Sequence, residues 1–445
     1  MNRRKFLEML AASSAGLVAL PSILLADDDH GPASALFKVP TNTGIRGNIV
    51  IVGGGMAGAT LAKYLRLWGG TEVNVTLVEK APSYTSNIMS NKVLSGQMTL
   101  ADLNYVYDTL TGHYGVQLVR GQVTAINGGG RRVTLANGAS YGYDRLVLAP
   151  GLEFDLLPGM TNPSEYDRLI PHAWQAGPQT QRLRDQLVAM QNGANVVITI
   201  PKAPYRCPPG PYERACVVAD WLADHKPGSR VIVLDANPDI LVEKANFAAA
   251  FRGDYGYVVD YRPGCTLTAV NSGTRSVTYS RAKVSQTIQA GVLNPIPPQR
   301  APQLLAKAGL YNPAAGERSV PVNVLSYESR VKGIHVIGDA SFTTQPKAGH
   351  IGNQQAKTCA DAILRSLQGK ALDPAPVTNS ACYTPITATT ATWLSAVYQY
   401  DAATGTMKIP ARHSGGGAIS AAQPTTENYK DMQVWFTTLM ADSFT

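Results

Sequence analysis

A sequence of 445 residues, 44% hydrophobic and 16% charged, is too long for a disulfide-stapled module and too apolar for a disordered chain. It suits two or three folded domains, each with its own core. The net charge of +8 has no block of like charges behind it, which argues against nucleic acid as a partner. The five cysteines contain no C-x-x-C pair, so a zinc ribbon is excluded and no metal site is expected.

In chain order, residues 1–26 read as an export signal. Arg3-Arg4-Lys5-Phe6-Leu7 is a twin-arginine run, Met9 to Leu20 is mildly apolar, and Ala26 is a plausible cleavage site before Asp27. Such signals resemble those of proteins exported already folded, so the expected compartment is the bacterial periplasm, where disulfides persist. No later stretch is long and apolar enough to predict a membrane span.

Asn48 to Val52 predicts a strand buried in a parallel sheet. Gly53, Gly55 and Gly58 follow as G-x-G-x-x-G, then a helix to about Trp68 and a second strand, Val73–Val78, ending in Glu79. The spacing predicts a dinucleotide site. Gly53 allows the tight turn, Gly55 lets a pyrophosphate approach, and Gly58 lets helix pack on strand. The helix N-terminus faces the phosphates, and Glu79 is placed for the ribose hydroxyls.

Two later segments favour FAD over NAD. Tyr143 to Gly151 resembles the strand and small-residue turn that end the first FAD-binding stretch of two-dinucleotide-fold flavoproteins. Gly333 to Ala340 predicts another buried strand, and Asp339 in its Gly-Asp matches the acid that holds the FAD ribityl chain in that superfamily. The helix from about His350 to Leu367 would then point its N-terminus at the flavin pyrimidine.

Ala194–Ile200 and Arg230–Asp235 open a second βαβ unit. Five prolines fill the loop Pro201–Pro211, where an NAD site needs glycines and free N–H groups, so NAD binding is expected to be lost. A helix starting at Glu213-Arg214-Ala215-Cys216 and ending near His225 carries Glu213 in its first turn. Cys207, beside Arg206 and just ahead of that helix, sits where a thiolate is favoured. Unaided, Glu213 reads equally as a plain helix-start carboxylate, and sequence alone does not choose a pairing among the five cysteines.

The string Cys207-Pro-Pro-Gly-Pro-Tyr-Glu-Arg-Ala resembles the flavoprotein subunit of flavocytochrome c sulfide dehydrogenase. The likeness runs from about Gly47 to Thr445, through Pro171-His172-Ala173-Trp174, Ile296-Pro297-Pro298-Gln299-Arg300 and Ser380-Ala381-Cys382-Tyr383. It implies an α/β chain with two Rossmann-like dinucleotide-binding domains of the disulfide-reductase type and a C-terminal interface domain. The FAD domain would comprise 47–160 and 299–372, the NAD-like domain 161–298, and the flavin-covering, cytochrome-facing part 373–445. The resemblance also implies a redox disulfide of Cys207 with Cys382, an acid/base role for Glu213, and cofactor contacts at Gly53, Gly55, Gly58, Glu79, Gly151 and Asp339. Cys216, Cys265 and Cys359 remain structural thiols.

The implied activity is periplasmic oxidation of sulfide to zero-valent sulfur or polysulfide, with electrons passing through FAD to a c-type cytochrome subunit in a heterodimer. The chain has no C-x-x-C-H of its own for haem attachment. The rival readings are a sulfide:quinone oxidoreductase and a non-catalytic electron-transfer flavoprotein. The ending Met432–Met440 predicts one short amphipathic turn packed on its own domain. One departure stands out: where many relatives tether FAD through Tyr-Thr-Cys, this chain reads Tyr84-Thr85-Ser86, so FAD is expected to bind without a covalent link.

Overall fold

The computed structural model describes residues 36–410 and 418–445, so the export signal lies outside the described residues. The chain enters through β1 (Gly47–Val52), α1 (Met56–Gly69) and β2 (Val73–Glu79), followed by β3 (Gln117–Arg120) and β4 (Arg145–Leu148). A second group comprises β5 (Asn195–Ile200), α2 (Gly210–His225), β6 (Arg230–Asp235), β7 (Val259–Pro263) and β8 (Val292–Pro295). The chain then returns through β9 (Ile334–Val336) and α3 (Gly349–Leu367). It ends with β10 (Val377–Pro385), β11 (Ala391–Asp401), β12 (Thr406–Lys408) and α4 (Thr426–Phe444).

Two parallel sheets form the frame. The first has the order β9-β4-β1-β2-β3, the second β7-β6-β5-β8. The strands of the second lie between β4 and β9 in sequence, so one α/β unit interrupts the other. The central strands β1, β4, β5 and β6 are mostly apolar and buried along most of their length because both faces are covered, as parallel sheets require. The third sheet is antiparallel, β10-β11-β12.

Register decides where the functional loops emerge. Val52 pairs with Val78 and with Leu148, and Leu148 pairs with Val336. The segments beginning at Gly53, Glu79, Ala149 and Ile337 therefore leave the sheet side by side at its carboxyl edge, where α/β folds bind ligands. Helix α1 packs against α3, where Ala57 meets Gly352, Gly69 meets Leu364 and the Thr60 hydroxyl accepts from Asn353 at 3.2 Å.

The C-terminus differs from the sequence expectation. In place of one short turn, residues 426–444 form a 19-residue helix capped by the Thr425 hydroxyl, which accepts from the Asn428 N–H. Met432, Phe436, Leu439, Met440 and Phe444 are buried against the first domain. Sequence periodicity was diluted by Tyr429, Thr437 and Ser443, so the helix showed itself only as the Met432–Met440 cluster. Among the described residues no helix is long and apolar enough to cross a membrane.

Asp442 anchors this helix. Its carboxylate accepts from Tyr64 at 2.6 Å, Asn353 at 2.7 Å and Lys357 at 2.8 Å, joining α1, α3 and α4. Burial alone would raise its pKa, but these hydrogen bonds outweigh it and hold the carboxyl below its ordinary value. A depressed carboxyl contributes stability that is complete above its unfolded pKa of about 4 and is lost as pH falls through the folded value. Asp442→Ala should lower stability by about 2 kcal/mol at neutral pH, read by thermal or chemical melting, with the difference shrinking toward pH 3. Equal melting of the two proteins at pH 7 would contradict this anchoring role.

Candidate active site

Each glycine at the carboxyl edge has a distinct physical reason. Gly53 has φ +103, and a Cβ there would lie 2.3 Å from the Ala149 carbonyl oxygen. At Gly58 it would lie 1.8 Å from the Gly53 oxygen, so α1 could not approach β1. Gly55 is different: its nearest obstacle is the Tyr84 ring at 3.6 Å, so the bare backbone leaves room for a ligand. Gly151 has φ +72 with open space around it. Glu79 accepts from the Gly54 N–H at 2.7 Å and the Ala81 N–H at 2.8 Å, which fixes its carboxylate beside the glycine loop with acceptor capacity to spare.

Gly53, Gly55, Glu79, Gly151 and Asp339 line one elongated cavity of about 420 Å³, while Gly58 lies beneath it as the packing contact. Asp339 sits in the short turn after β9, 3.5 Å from the Arg206 guanidinium. The other terminal nitrogen of Arg206, Nη2, is buried without a partner, and so is Trp435 Nε1 on the wall contributed by α4. Buried polar atoms are rarely left unpaired, so these orphaned donors fit a polar ligand. The glycine loop, the N-terminus of α1, Glu79 and Asp339 together match what an extended dinucleotide such as FAD requires.

Cys207, Glu213 and Cys382 line the same cavity. Cys207 has φ +57, a strained conformation for a residue with a side chain. Its N–H donates to the Lys347 carbonyl at 2.8 Å, and its carbonyl accepts from Gly210 at 2.9 Å. A Cβ on Gly210 would sit 2.8 Å from the Cys207 sulfur and 2.9 Å from the Trp174 ring, so Gly210 makes room for that sulfur. Cys382 faces it from β10, and both are free thiols here.

The thiolate expected at Cys207 is not favoured. Burial pushes its thiol up, the negative charge of Glu213 and the second sulfur push the same way, and Arg206 opposes them only in part. Burial likewise pushes Cys382 up to about 12. Cys216 and Cys359 are buried within α2 and α3, and Cys265 is buried beside β7.

Glu213 lies in the first turn of α2 and is buried. Burial raises its carboxyl to about 7, with Asn91 and Arg214 pulling it down. Asn91 Nδ2 donates to Glu213 at 2.8 Å, while Asn91 Oδ1 accepts from Arg214 Nε at 2.8 Å. Arg214 also donates to the carbonyls of His172 and Ala173, each at 2.7 Å, and stacks over Trp174. Sequence reading missed Asn91 and Trp435, and it gave no site role to the side chains of Trp174 and His350 or to Gly210; all five line this cavity. Only the Glu213-Arg214 adjacency hinted at the network.

In the second α/β unit the acid that ends the second strand is taken up by protein donors. Asp235 ends β6 where an NAD-binding fold presents its ribose acid, yet it is completely buried. It accepts from Tyr212 at 2.8 Å, Tyr261 at 2.9 Å, and both the N–H and the side chain of Asn237 at 2.8 Å. Four donors saturate the carboxylate. The proline loop adds buried Tyr205 beside it. Among the described residues no cluster of three or more His, Cys, Asp or Glu side chains could hold a metal.

Residues 47–198 match the family model of pyridine nucleotide-disulphide oxidoreductases. Residues 180–297 match the model for the central region of the sulfide dehydrogenase (flavocytochrome c) flavoprotein chain. Putidaredoxin reductase CamA of Pseudomonas putida is 35% identical over 151 residues, 32% of this chain and 34% of that protein. An NADH dehydrogenase-like protein of Mycobacterium tuberculosis is 37% identical over 121 residues, 25% of this chain and 29% of that protein. The matched region thus spans about a third of these curated relatives. The sulfide:quinone oxidoreductase of Aquifex aeolicus shares the fold, with TM-score 0.72 at 16% identity, covering 89% of this chain and 91% of that one. Residues 47–198 are thus similar to pyridine nucleotide-disulphide oxidoreductases and residues 180–297 to the sulfide dehydrogenase flavoprotein chain, on a two-sheet α/β fold shared with the Aquifex aeolicus enzyme.

Proposed function

We propose that the protein oxidises sulfide to zero-valent sulfur or polysulfide through a Cys207–Cys382 disulfide and non-covalently bound FAD. The observation that carries this reading is the convergence of Cys207, Cys382 and Glu213 on the cavity that the glycine loop and Glu79 also line. The match of residues 180–297 to the sulfide dehydrogenase flavoprotein model supports the same choice. Saturated Asp235 argues against an NADH-driven reductase, despite the names of the relatives matched by the first domain.

In this mechanism hydrosulfide attacks one sulfur of the disulfide. A new S–S bond forms to that cysteine, the Cys207–Cys382 bond breaks, and the other cysteine leaves as a thiolate. Glu213 takes the proton of the entering sulfide, a task suited to a carboxyl titrating near 7. Bound FAD supplies a two-electron acceptor that can release electrons singly. When the thiolate gives up its electron pair, the disulfide closes again and the terminal sulfur departs to a further nucleophile. Overall, hydrosulfide becomes zero-valent sulfur, one proton and two electrons. Arg214, through Asn91, keeps Glu213 beside the sulfur without forming an ion pair that would abolish its basicity.

The proposal extends to export through the twin-arginine route and to a c-type cytochrome subunit as electron acceptor. Helix α4 supports this over a membrane quinone, because Met432, Phe436, Leu439, Met440 and Phe444 are turned inward on the first domain and Val434 is its one exposed large aliphatic side chain.

Anaerobic sulfide should bleach the flavin band of the purified protein, and cytochrome c should restore it faster than decylubiquinone. Cys207→Ser and Cys382→Ser should each abolish bleaching; normal sulfide turnover in either would rule out the disulfide route and favour a non-catalytic or different role. NADH should leave the band unchanged, since prompt bleaching by NADH would show the second fold to be open. Acid precipitation should release all the flavin into the supernatant, whereas colour retained in the pellet would reveal a covalent bond.

A further inference from the structure

Glu243 stands just ahead of the helix Lys244–Arg252 in the second α/β unit and takes the left-handed conformation, φ +49. Its buried carboxylate reaches out to the C-terminal sheet. One oxygen accepts from the Thr392 hydroxyl at 2.9 Å and the other from the Thr384 hydroxyl at 3.2 Å. These threonines are cross-strand partners on β10 and β11, and both are fully buried. Asn246 closes the arrangement by donating to Thr392 at 2.8 Å and to the Ala421 carbonyl at 3.0 Å. Thr384 is two residues beyond Cys382, so the two side chains share one face of β10.

The titratable groups facing Glu243 are Glu213 and Cys216 from α2 and Cys382 from β10. Lys244, the next residue, pairs instead with Asp239 at 2.5 Å. Among the described residues no cation pairs with the Glu243 carboxylate. Nothing in the sulfur chemistry outlined above employs it, yet it is held by more side-chain hydrogen bonds than Glu213.

Resting on the sulfide reading, we propose that Glu243 is a positioning residue for Cys382, tying the cysteine-bearing strand to the second unit and restraining that sulfur's nucleophilicity through its negative charge. Burial raises the Glu243 carboxyl to about 7, against the pull of the two threonine hydroxyls. After burial, its charge is the strongest influence raising the Cys382 thiol. Deprotonated Glu243 therefore disfavours a thiolate at Cys382, and protonated or neutral residue 243 relieves that repulsion. Titration near neutrality would adjust the opened cysteine pair in step with Glu213, to which Glu243 is itself coupled.

The test uses flavin-loaded protein reduced anaerobically with a phosphine, then labelled with iodoacetamide from pH 7 to 10 and quantified by peptide mass spectrometry. Thiolate is the reacting form, so Glu243→Gln should speed labelling of Cys382 about tenfold at pH 8, one pKa unit, and leave Cys207 nearly unchanged. Thr384→Val keeps the carboxyl but removes a donor that stabilises its charge, so it should give a smaller increase in the same direction. It also serves if the glutamine variant does not fold. Equal acceleration at both cysteines would mean general loosening and would overturn the proposal, as would unchanged labelling. The readout does not depend on turnover: a protein inert to sulfide with selectively faster Cys382 labelling refutes the sulfide reading and supports Glu243 as the residue that restrains Cys382. Sulfide oxidation with unshifted labelling refutes the Glu243 role alone.

Discussion

A single buried guanidinium organises the reacting end of the cavity. Arg214 is almost wholly inaccessible, and burial lowers its pKa to about 9. Such a charge is tolerable inside a protein only where its donors are satisfied. Asn91, the carbonyls of His172 and Ala173, and Asn294 at 3.0 Å satisfy it. These acceptors come from the first α/β unit, from the segment entering the second, and from β8. The acceptors that solve the solvation of Arg214 thereby fix the start of α2, and with it Glu213 and the loop bearing Cys207. The adjacent Glu213 receives an amide donor from Asn91 in place of a direct ion pair, which leaves its carboxyl near neutrality.

The backbone bears a matching constraint. Met89, Ala173 and Cys207 all line the cavity with positive φ, and Glu243 behind it does the same. Each is a conformation that side chains rarely adopt, sustained because surrounding contacts over-determine it. At Cys207 the contacts are the hydrogen bonds to Lys347 and Gly210 and the space left by the missing Cβ of Gly210. Held this way, Cys207 lines the same cavity as Cys382 on β10.

What could be read from sequence follows from how local each signal is. The strand, glycines, helix, strand and Glu79 of the first unit form one continuous pattern, and the structure reproduces it almost residue for residue. Gly151 and Asp339 were accessible through strand-plus-turn patterns that emerge at the same sheet edge. Asn91, Trp174 and His350 were not, because each matters through tertiary contacts: Asn91 with Glu213 and Arg214, 122 and 123 residues away, Trp174 with Arg206 at 32 and His350 with Ala381 at 31. The protonation of Cys207 was misread for the same reason: Arg206 is a neighbour in sequence, whereas the burial and Glu213 that dominate are tertiary. The proline loop signalled a closed NAD site, but the two tyrosines that occupy Asp235 became visible only in three dimensions.

Ser86 shows how such a distant contact changes the meaning of a local substitution. Tyr84, Thr85, Asn87 and Ile88 line the cavity, but the Ser86 hydroxyl donates to the Ile88 carbonyl at 3.1 Å and lies against Met440 of α4. Phe444 of the same helix stacks on Tyr84 at 5.3 Å and on Tyr105 at 5.4 Å. The Tyr84–Ile88 segment is therefore gripped from behind by the C-terminal helix, with the Ser86 side chain buried against that helix and outside the cavity lining. Asp442 locks that helix to α1 and α3, and Trp435 places it over the cavity. In the proposed unlinked state, retention of FAD falls to packing and hydrogen bonding by α4 as well as to the glycine loop. Stability of the C-terminal helix and affinity for the cofactor are then two readings of one set of contacts.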